Sequence, residues 1–196
     1  DKPGLPKTET MALAPLSPYG LTKLQDEEYA ALYTTLYNVP TVGLRYFNVF
    51  GPRQDPHGAY AAVVPAWITA RLTQQPARIY GDGENTRDFC YIDNIVQANL
   101  LAATTENKKA LGLSFNVACG HRLSLNELYA IINEIVSRKA HIPATAEPNY
   151  FPRRPGDIRH SYASLTLSER ELGYAPIVDI GEGLERTVLW FARLGD

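Results

Sequence analysis

The feature that most restricts the fold is a bracketed helix followed at once by an apolar strand. Ser17-Pro18 opens the helix: Ser is a favoured N-cap, and Pro suits the first helical position, where an N–H would have no partner anyway. Asn38-Val39-Pro40 closes it, because the residue before proline is driven out of helical geometry. The spacing predicts a helix over about residues 18–38, with Leu21, Leu24, Ala31 and Leu32 as its apolar positions. Thr41-Val42-Gly43-Leu44-Arg45-Tyr46-Phe47 then reads as a buried strand, rich in β-branched and aromatic residues. Helix, short break and apolar strand make an αβ unit of a parallel sheet. Asn48-Val49-Phe50-Gly51-Pro52 leaves the strand at its carboxyl end, where open α/β sheets bind ligands.

The rest of the chain alternates in the same way. A helix is expected over 63–74 with Pro65 in its first turn, a short strand over 77–80, a turn over 81–85 and an extended segment over 87–91. Asp93 is expected to cap a helix reaching about Thr104, and residues 114–118 to form a strand. Ser124 and Glu127 have capping-box spacing for a helix to about Arg138. Residues 139–163 show little periodicity. Ser164 opens a short helix ending at Gly173, and a final amphipathic helix runs over 179–194.

Composition bounds the function. The 196 residues carry a net charge of −2, so no bulk attraction draws the chain to nucleic acid or to an anionic membrane. Any phosphate affinity must come from a few placed arginines. No apolar run approaches the length of a membrane span, and no signal peptide is read. The two cysteines, Cys90 and Cys119, have neither metal spacing nor a disulfide framework, and read as reduced thiols of a cytoplasmic protein.

Chemistry is concentrated in a few stretches. In Ser17-Pro18-Tyr19-Gly20-Leu21-Thr22-Lys23, Tyr19 and Lys23 stand four residues apart on one helix face. An ammonium beside a phenol favours the phenolate and makes Tyr19 a candidate base for a hydroxyl proton. The plainer alternative is a chance pair on a solvated helix. Asn48 can donate its amide to a phosphate or sugar oxygen, or simply serve a turn. Arg87, in Gly81-Asp82-Gly83-Glu84-Asn85-Thr86-Arg87-Asp88-Phe89, can grip a phosphate bidentately, or pair at the surface with Asp88 or Glu84. In Arg153-Arg154-Pro155-Gly156-Asp157, Arg154 can bind phosphate and Asp157 a ribose or sugar hydroxyl, or the turn is merely charged and solvated.

Taken together these stretches carry a family pattern. Tyr19-Gly20-Leu21-Thr22-Lys23, Arg45-Tyr46-Phe47-Asn48-Val49-Phe50-Gly51-Pro52-Arg53-Gln54, Gly81-Asp82-Gly83, Arg87-Asp88-Phe89-Cys90-Tyr91-Ile92-Asp93-Asn94 and Arg153-Arg154-Pro155-Gly156-Asp157 come in order over nearly the whole chain. The sequence resembles the NAD-dependent epimerase/dehydratase family, extended short-chain dehydrogenases acting on nucleotide sugars. Residues 55–65 and Gly156-Asp157-Ile158-Arg159-His160-Ser161 look like its bacterial UDP-N-acetylglucosamine 4-epimerase branch.

The resemblance implies an α/β fold: the C-terminal part of a Rossmann-type parallel sheet with a smaller α/β substrate-binding domain. Residues 1–52 would belong to the NAD-binding domain and 53–196 mainly to the substrate domain, with segments near 88–118 returning to the first. It implies NAD as cofactor, a UDP-sugar as substrate and a homodimer. Tyr19 would deprotonate the sugar 4-hydroxyl, and Lys23 would hold the nicotinamide ribose and lower the Tyr19 pKa. Tyr46 and Phe47 would lie beside the nicotinamide. Asn48, Arg87 and Arg154 would bind the diphosphate, Tyr80 would stack on uracil, and Asp157 would bind the uridine ribose. Ala62 and Val63 join the substrate site. Ser161 would border the sugar C2 substituent, its small side chain leaving room for an N-acetyl group.

The resemblance also expects a glycine-rich dinucleotide loop and a catalytic Ser or Thr upstream of Tyr19. No Gly-x-x-Gly-x-x-Gly occurs, and Thr8 and Thr10 are too close to Tyr19. An N-terminal truncation is therefore expected, with a fragment that does not catalyse by itself. Sibling chemistries (UDP-glucose or UDP-glucuronate 4-epimerase, nucleotide-sugar 4,6-dehydratase) and a non-enzymatic nucleotide-sugar-binding or scaffold role stay open.

Overall fold

The computed structural model describes residues 6–57, 62–143, 147–154 and 156–193. Residues 1–5 of the opening stretch, 58–61, Pro155 and Leu194 lie outside the described residues.

Helix α1 spans Pro18–Tyr37. Its first turn is closed by Ser17, whose hydroxyl accepts from the Gly20 N–H at 3.0 Å. Its last residue is followed by Asn38 in the left-handed conformation, a common helix stop. The predicted apolar face is corrected here. No residue of α1 is buried, and Leu21 and Leu32 are exposed together with Tyr29, Leu36 and Tyr37. Its inner side is Leu24, Glu27, Ala31 and Thr34, all half-buried. Glu27 there receives the Arg45 guanidinium from β1 at 2.6 Å.

The strand read as residues 41–47 is β1 (Gly43–Tyr46), and the stretch read as leaving it holds a second strand, β2 (Asn48–Phe50). β1 lies parallel to β6 (Ser114–Val117), and β2 lies parallel to β5 (Phe89–Tyr91). The run changes partner at Phe47, whose N–H donates to Val117 O at 3.1 Å while the Asn48 N–H donates to Asp88 O at 3.1 Å. β1 is half-buried and Tyr46 is exposed.

Beyond β2 come α2 (Val63–Leu72), β3 (Arg78–Tyr80), β4 (Thr86–Arg87) and then β5. Helix α3 (Ile92–Thr104) follows β5 directly. Its N-cap is Tyr91, without a side-chain cap, so the predicted Asp93 cap is corrected: Asp93 sits in the first turn and pairs with Arg186 at 3.0 Å. β7 (Leu123–Ser124) pairs antiparallel with β4 and leads into α4 (Leu125–Lys139) through a complete Ser124–Glu127 capping box. The aperiodic region holds a strand that periodicity cannot reveal, β8 (Asn149–Phe151), exposed throughout and parallel to β3. Helix α5 (Thr166–Leu172) starts after Leu165 rather than at Ser164, and ends at Gly173 with φ 66°. The last helix, α6 (Ile180–Arg193), has Asp179 accepting from the Glu182 N–H at 2.8 Å.

Two apolar cores hold these elements. One joins Phe50, Trp67, Ile68, Ile79, Leu128, Ile132, Leu184 and Val188, from β2, α2, β3, α4 and α6. The other joins Ile95, Phe115, Val117, Leu172 and Tyr174, around β6, α3 and α5. Asp88 is fully buried where the strands meet the returning chain. Its carboxylate accepts from the backbone N–H groups of Cys119 (2.9 Å), Gly120 (3.1 Å) and Ala163 (3.2 Å). Burial nevertheless holds its pKa up, at about 6.

Candidate active site

A cavity of ≈ 1040 Å³ opens beyond the carboxyl ends of β1 and β3. It brings together Tyr19, Phe47, Asn48, Ala62, Val63, Tyr80, Arg87, Arg154 and Asp157. Lys23, Tyr46 and Ser161 are not on its wall.

Helix α1 presents Tyr19 from its first turn, with the side chain exposed. The Lys23 ammonium lies 5.9 Å from the Tyr19 ring centroid, as the helical spacing requires. Its hydrogen bond goes to Asp26 at 2.7 Å, and that carboxylate holds the ammonium above its ordinary pKa. Both side chains of this ion pair are more than half exposed, so a ligand can displace it at little cost. Tyr46 turns elsewhere and donates its hydroxyl to Asn99 Oδ1 at 3.0 Å.

Asn48 points its amide back at Asp88 O, 3.1 Å away, so one donor of that side chain is already engaged within the protein. The β3–β8 register sets Tyr80 opposite Phe151, with ring centroids 5.6 Å apart. The Arg154 guanidinium lies over the Tyr80 ring at 3.7 Å from its centroid, and draws the phenol below its ordinary pKa. One face of the ring expected to stack on uracil is therefore covered by Arg154.

Arg87 projects from β4 and pairs with Asp157 at 2.5 Å, not with Asp88 or Glu84. Burial weakens the hold of Arg87 on its proton, and the Asp157 charge opposes that effect. Asp157 has three partners: Arg87 at Oδ1, the Asn85 amide at Oδ2 (2.7 Å), and the Arg153 guanidinium at its backbone carbonyl (2.6 Å). Ser161 lies on the adjoining segment, its N–H donating to Thr86 O at 3.0 Å.

Two residues here have no role expected from the sequence, Asn85 in the 81–89 stretch and Arg159 in the 156–161 stretch. Asn85 is buried, and its Oδ1 accepts from Arg159 at 3.0 Å. Arg159 in turn grips Asp82 with both guanidinium nitrogens, at 2.7 and 2.8 Å. Their positions two residues before Arg87 and two after Asp157 were the available signal. The turn that carries Asp82 needs glycine at Gly83, where φ is 77° and a side chain would collide with Asn126.

The model of the NAD dependent epimerase/dehydratase family matches residues 1–118. The chain belongs to this family. A relative from Methanocaldococcus jannaschii, a putative UDP-glucose 4-epimerase, is 39% identical over 186 residues, covering 95% of this chain and 57% of its own length. The chain thus spans less than two thirds of that family member. Among solved structures, the UDP-glucose 4-epimerase of Thermotoga maritima with UDP-glucose matches with a TM-score of 0.92 and 36% identity, over 100% of this chain and 60% of that one. The UDP-N-acetylglucosamine 4-epimerase of Methanobrevibacter ruminantium M1, in complex with UDP-N-acetylmuramic acid, matches with a TM-score of 0.88 and 37% identity, over 98% and 59%. These likenesses fix the fold as α/β with the parallel strands of that family.

Proposed function

We propose that this chain supplies the proton-transferring tyrosine and the nucleotide grip of a UDP-sugar 4-epimerase, interconverting UDP-N-acetylglucosamine and UDP-N-acetylgalactosamine. The observation that carries this reading is one cavity lined by Tyr19 together with Tyr80, Arg87, Arg154 and Asp157. In this reading the last four anchor a nucleotide diphosphate and leave the sugar free to turn before Tyr19. Tyr19 takes the proton of the sugar 4-hydroxyl and returns it, with the Lys23 ammonium 5.9 Å from its ring centroid. Arg87 and Arg154 meet the diphosphate charge, and Asp157 accepts from ribose hydroxyls.

The donor set at the start of α1 fits a nicotinamide riboside: a phenol, a displaceable ammonium and the Phe47 ring. Tyr19, Lys23 and Phe47 would hold it, whereas Tyr46 is engaged by Asn99. NAD bound there supplies a hydride acceptor and donor for sugar C4. Residues 1–52 serve that cofactor side in this reading, and 53–196 mainly the substrate side. The glycine-rich loop is not among the 196 residues, so we assign turnover to the gene's whole product and nucleotide binding to this chain. The exposed apolar side of α1 suits a homodimer contact, which light scattering showing only monomer would remove.

The N-acetylated substrate rests on the small Ser161 and on the branch-like stretches. A UDP-glucose 4-epimerase is the second reading, favoured by the names of the Methanocaldococcus and Thermotoga relatives. The whole gene product is to be incubated with NAD and UDP-N-acetylglucosamine and its products separated by chromatography. UDP-N-acetylgalactosamine is expected, and Tyr19→Phe is expected to abolish it. Conversion of UDP-glucose alone would select the second reading, and conversion of neither would overturn both.

A further inference from the structure

A chain of five polar side chains runs beneath the nucleotide end of the cavity: Asp82, Arg159, Asn85, Asp157 and Arg87. The link that decides its direction is Asn85. A side-chain amide can present either its oxygen or its NH2 to a given neighbour, and the two orientations occupy the same space. Asn85 is buried, so its orientation is set by partners rather than by water. Arg159 is a donor only, and it faces Asn85 Oδ1 at 3.0 Å. The NH2 group is thereby turned to Asp157 Oδ2, at 2.7 Å. Arg159 is itself fixed by the two-pronged contact with Asp82 in the turn after β3.

We propose that Arg159, held by Asp82, is a positioning residue for the nucleotide site: it locks the Asn85 amide so that Asn85 donates to Asp157. This rests on the nucleotide reading above and adds to it a residue pair outside the cavity wall. Without Arg159, Asn85 Oδ1 loses its cationic donor while the NH2 group keeps the Asp157 carboxylate. An amide anchored at one end can rock, and its hydrogen bond to Asp157 loosens. Asp157 then loses the fixed position from which it meets the ribose and Arg87. Tyr19 stands on α1 and takes part in none of these hydrogen bonds.

Two measurements on this chain test the proposal. In the ligand-free protein, the Asn85 side-chain amide is followed by ¹H–¹⁵N NMR. Arg159→Met is expected to shift both amide protons and speed their exchange with water. Asp82→Asn, a change at a half-exposed carboxylate, is expected to do so less. Because that change lies at the surface it keeps the fold in place even where Arg159→Met does not. An unmoved Asn85 amide in a folded variant overturns the lock.

The second measurement is UDP affinity by calorimetry. Arg159→Met is expected to weaken UDP about ten-fold, an effect of one lost hydrogen-bond partner to a charged group. The Arg159→Met, Asp157→Asn double variant is expected to bind no more weakly than Asp157→Asn alone, because Arg159 acts through Asp157. Additive losses would show a merely structural role and overturn the proposal. Wild-type chain that binds no UDP would overturn the nucleotide reading itself, and the NMR arm would still decide whether Arg159 orders Asn85.

Discussion

Arg87 and Asp157, seventy residues apart in sequence, meet at 2.5 Å and hold each other in the cavity that each is expected to use for a different part of a nucleotide. The pair is only modestly exposed, with side chains 16% and 27% accessible. Such a pair has two uses. It ties β4 to the 157–161 segment, and it keeps a guanidinium in place until a diphosphate competes for it. Removing one partner leaves the other charge partly desolvated and unpaired, which costs about 1–3 kcal/mol. Arg87→Ala is expected to lower unfolding free energy by about that amount in urea titration and to weaken UDP binding at least about ten-fold. Unchanged affinity alongside lowered stability would make the pair structural alone.

Asp88 gives a prediction in pH. Its folded pKa of about 6 lies above the ordinary carboxyl value because burial outweighs three backbone donors. A raised carboxyl pKa means the folded state holds the proton where the unfolded state has lost it. That contribution to stability is complete below the unfolded pKa near 3.8 and is lost as pH rises through about 6. The span corresponds to about 3 kcal/mol. Urea midpoints are expected to fall between pH 4 and pH 6.5, against the usual trend set by surface carboxylates. Asp88→Asn is expected to flatten this decline. It also leaves one of the Cys119, Gly120 and Ala163 N–H groups without an acceptor, so the variant is less stable at pH 5 by about 1–3 kcal/mol. A wild-type midpoint that does not fall over this range would place the Asp88 pKa near its ordinary value.

Legibility of the sequence followed the physics of each signal. The Ser17-Pro18 start, the Asn38 stop and the Ser124–Glu127 box are local, and each appears where residue type alone demands it. The exposed side of α1 was not legible, because amphipathic spacing tells which residues share a face but not whether anything covers that face. β8 was hidden because an exposed edge strand needs no alternation, and its partner β3 lies 71 residues earlier. At the site, residue types and family spacing pointed to Arg87, Arg154 and Asp157, which the cavity gathers. That Arg87 would pair with Asp157, and Arg154 would cover Tyr80, depends on side-chain placement across distant segments. No sequence pattern encodes it. Asn85 and Arg159 escaped for the same reason: their importance is in each other, not in their own residue type.

The capping box gives a local test of the substrate-side framework. The Ser124 hydroxyl accepts from the Glu127 N–H at 3.1 Å, and Glu127 accepts from the Ser124 N–H at 2.7 Å. Ser124→Ala removes the first bond and loosens the second, which costs about 1 kcal/mol. The start of α4 also anchors the nucleotide turn, since Asn126 donates to Asp82 O at 3.1 Å. A small loss in urea stability is therefore expected together with faster amide exchange over residues 81–85. Exchange confined to residues 124–128 would show that turn and helix are independent.

Ser161 is the position on which substrate choice is expected to turn. Its side chain is not on the cavity wall, and its backbone is pinned to Thr86 by the 3.0 Å hydrogen bond from its N–H. In the proposed reading, a large side chain on this backbone would take the space of the acetamido group. Ser161→Tyr adds an aromatic ring there without altering Tyr19 or the arginines. The whole gene product carrying Ser161→Tyr is expected to lose at least about ten-fold in kcat/KM on UDP-N-acetylglucosamine, while conversion of UDP-glucose changes by less than about three-fold. Equal losses on both sugars would point to damage at the shared nucleotide grip. Retained activity on the N-acetylated sugar would sink the assignment of Ser161, because no bulky ring can share the space of an acetamido group.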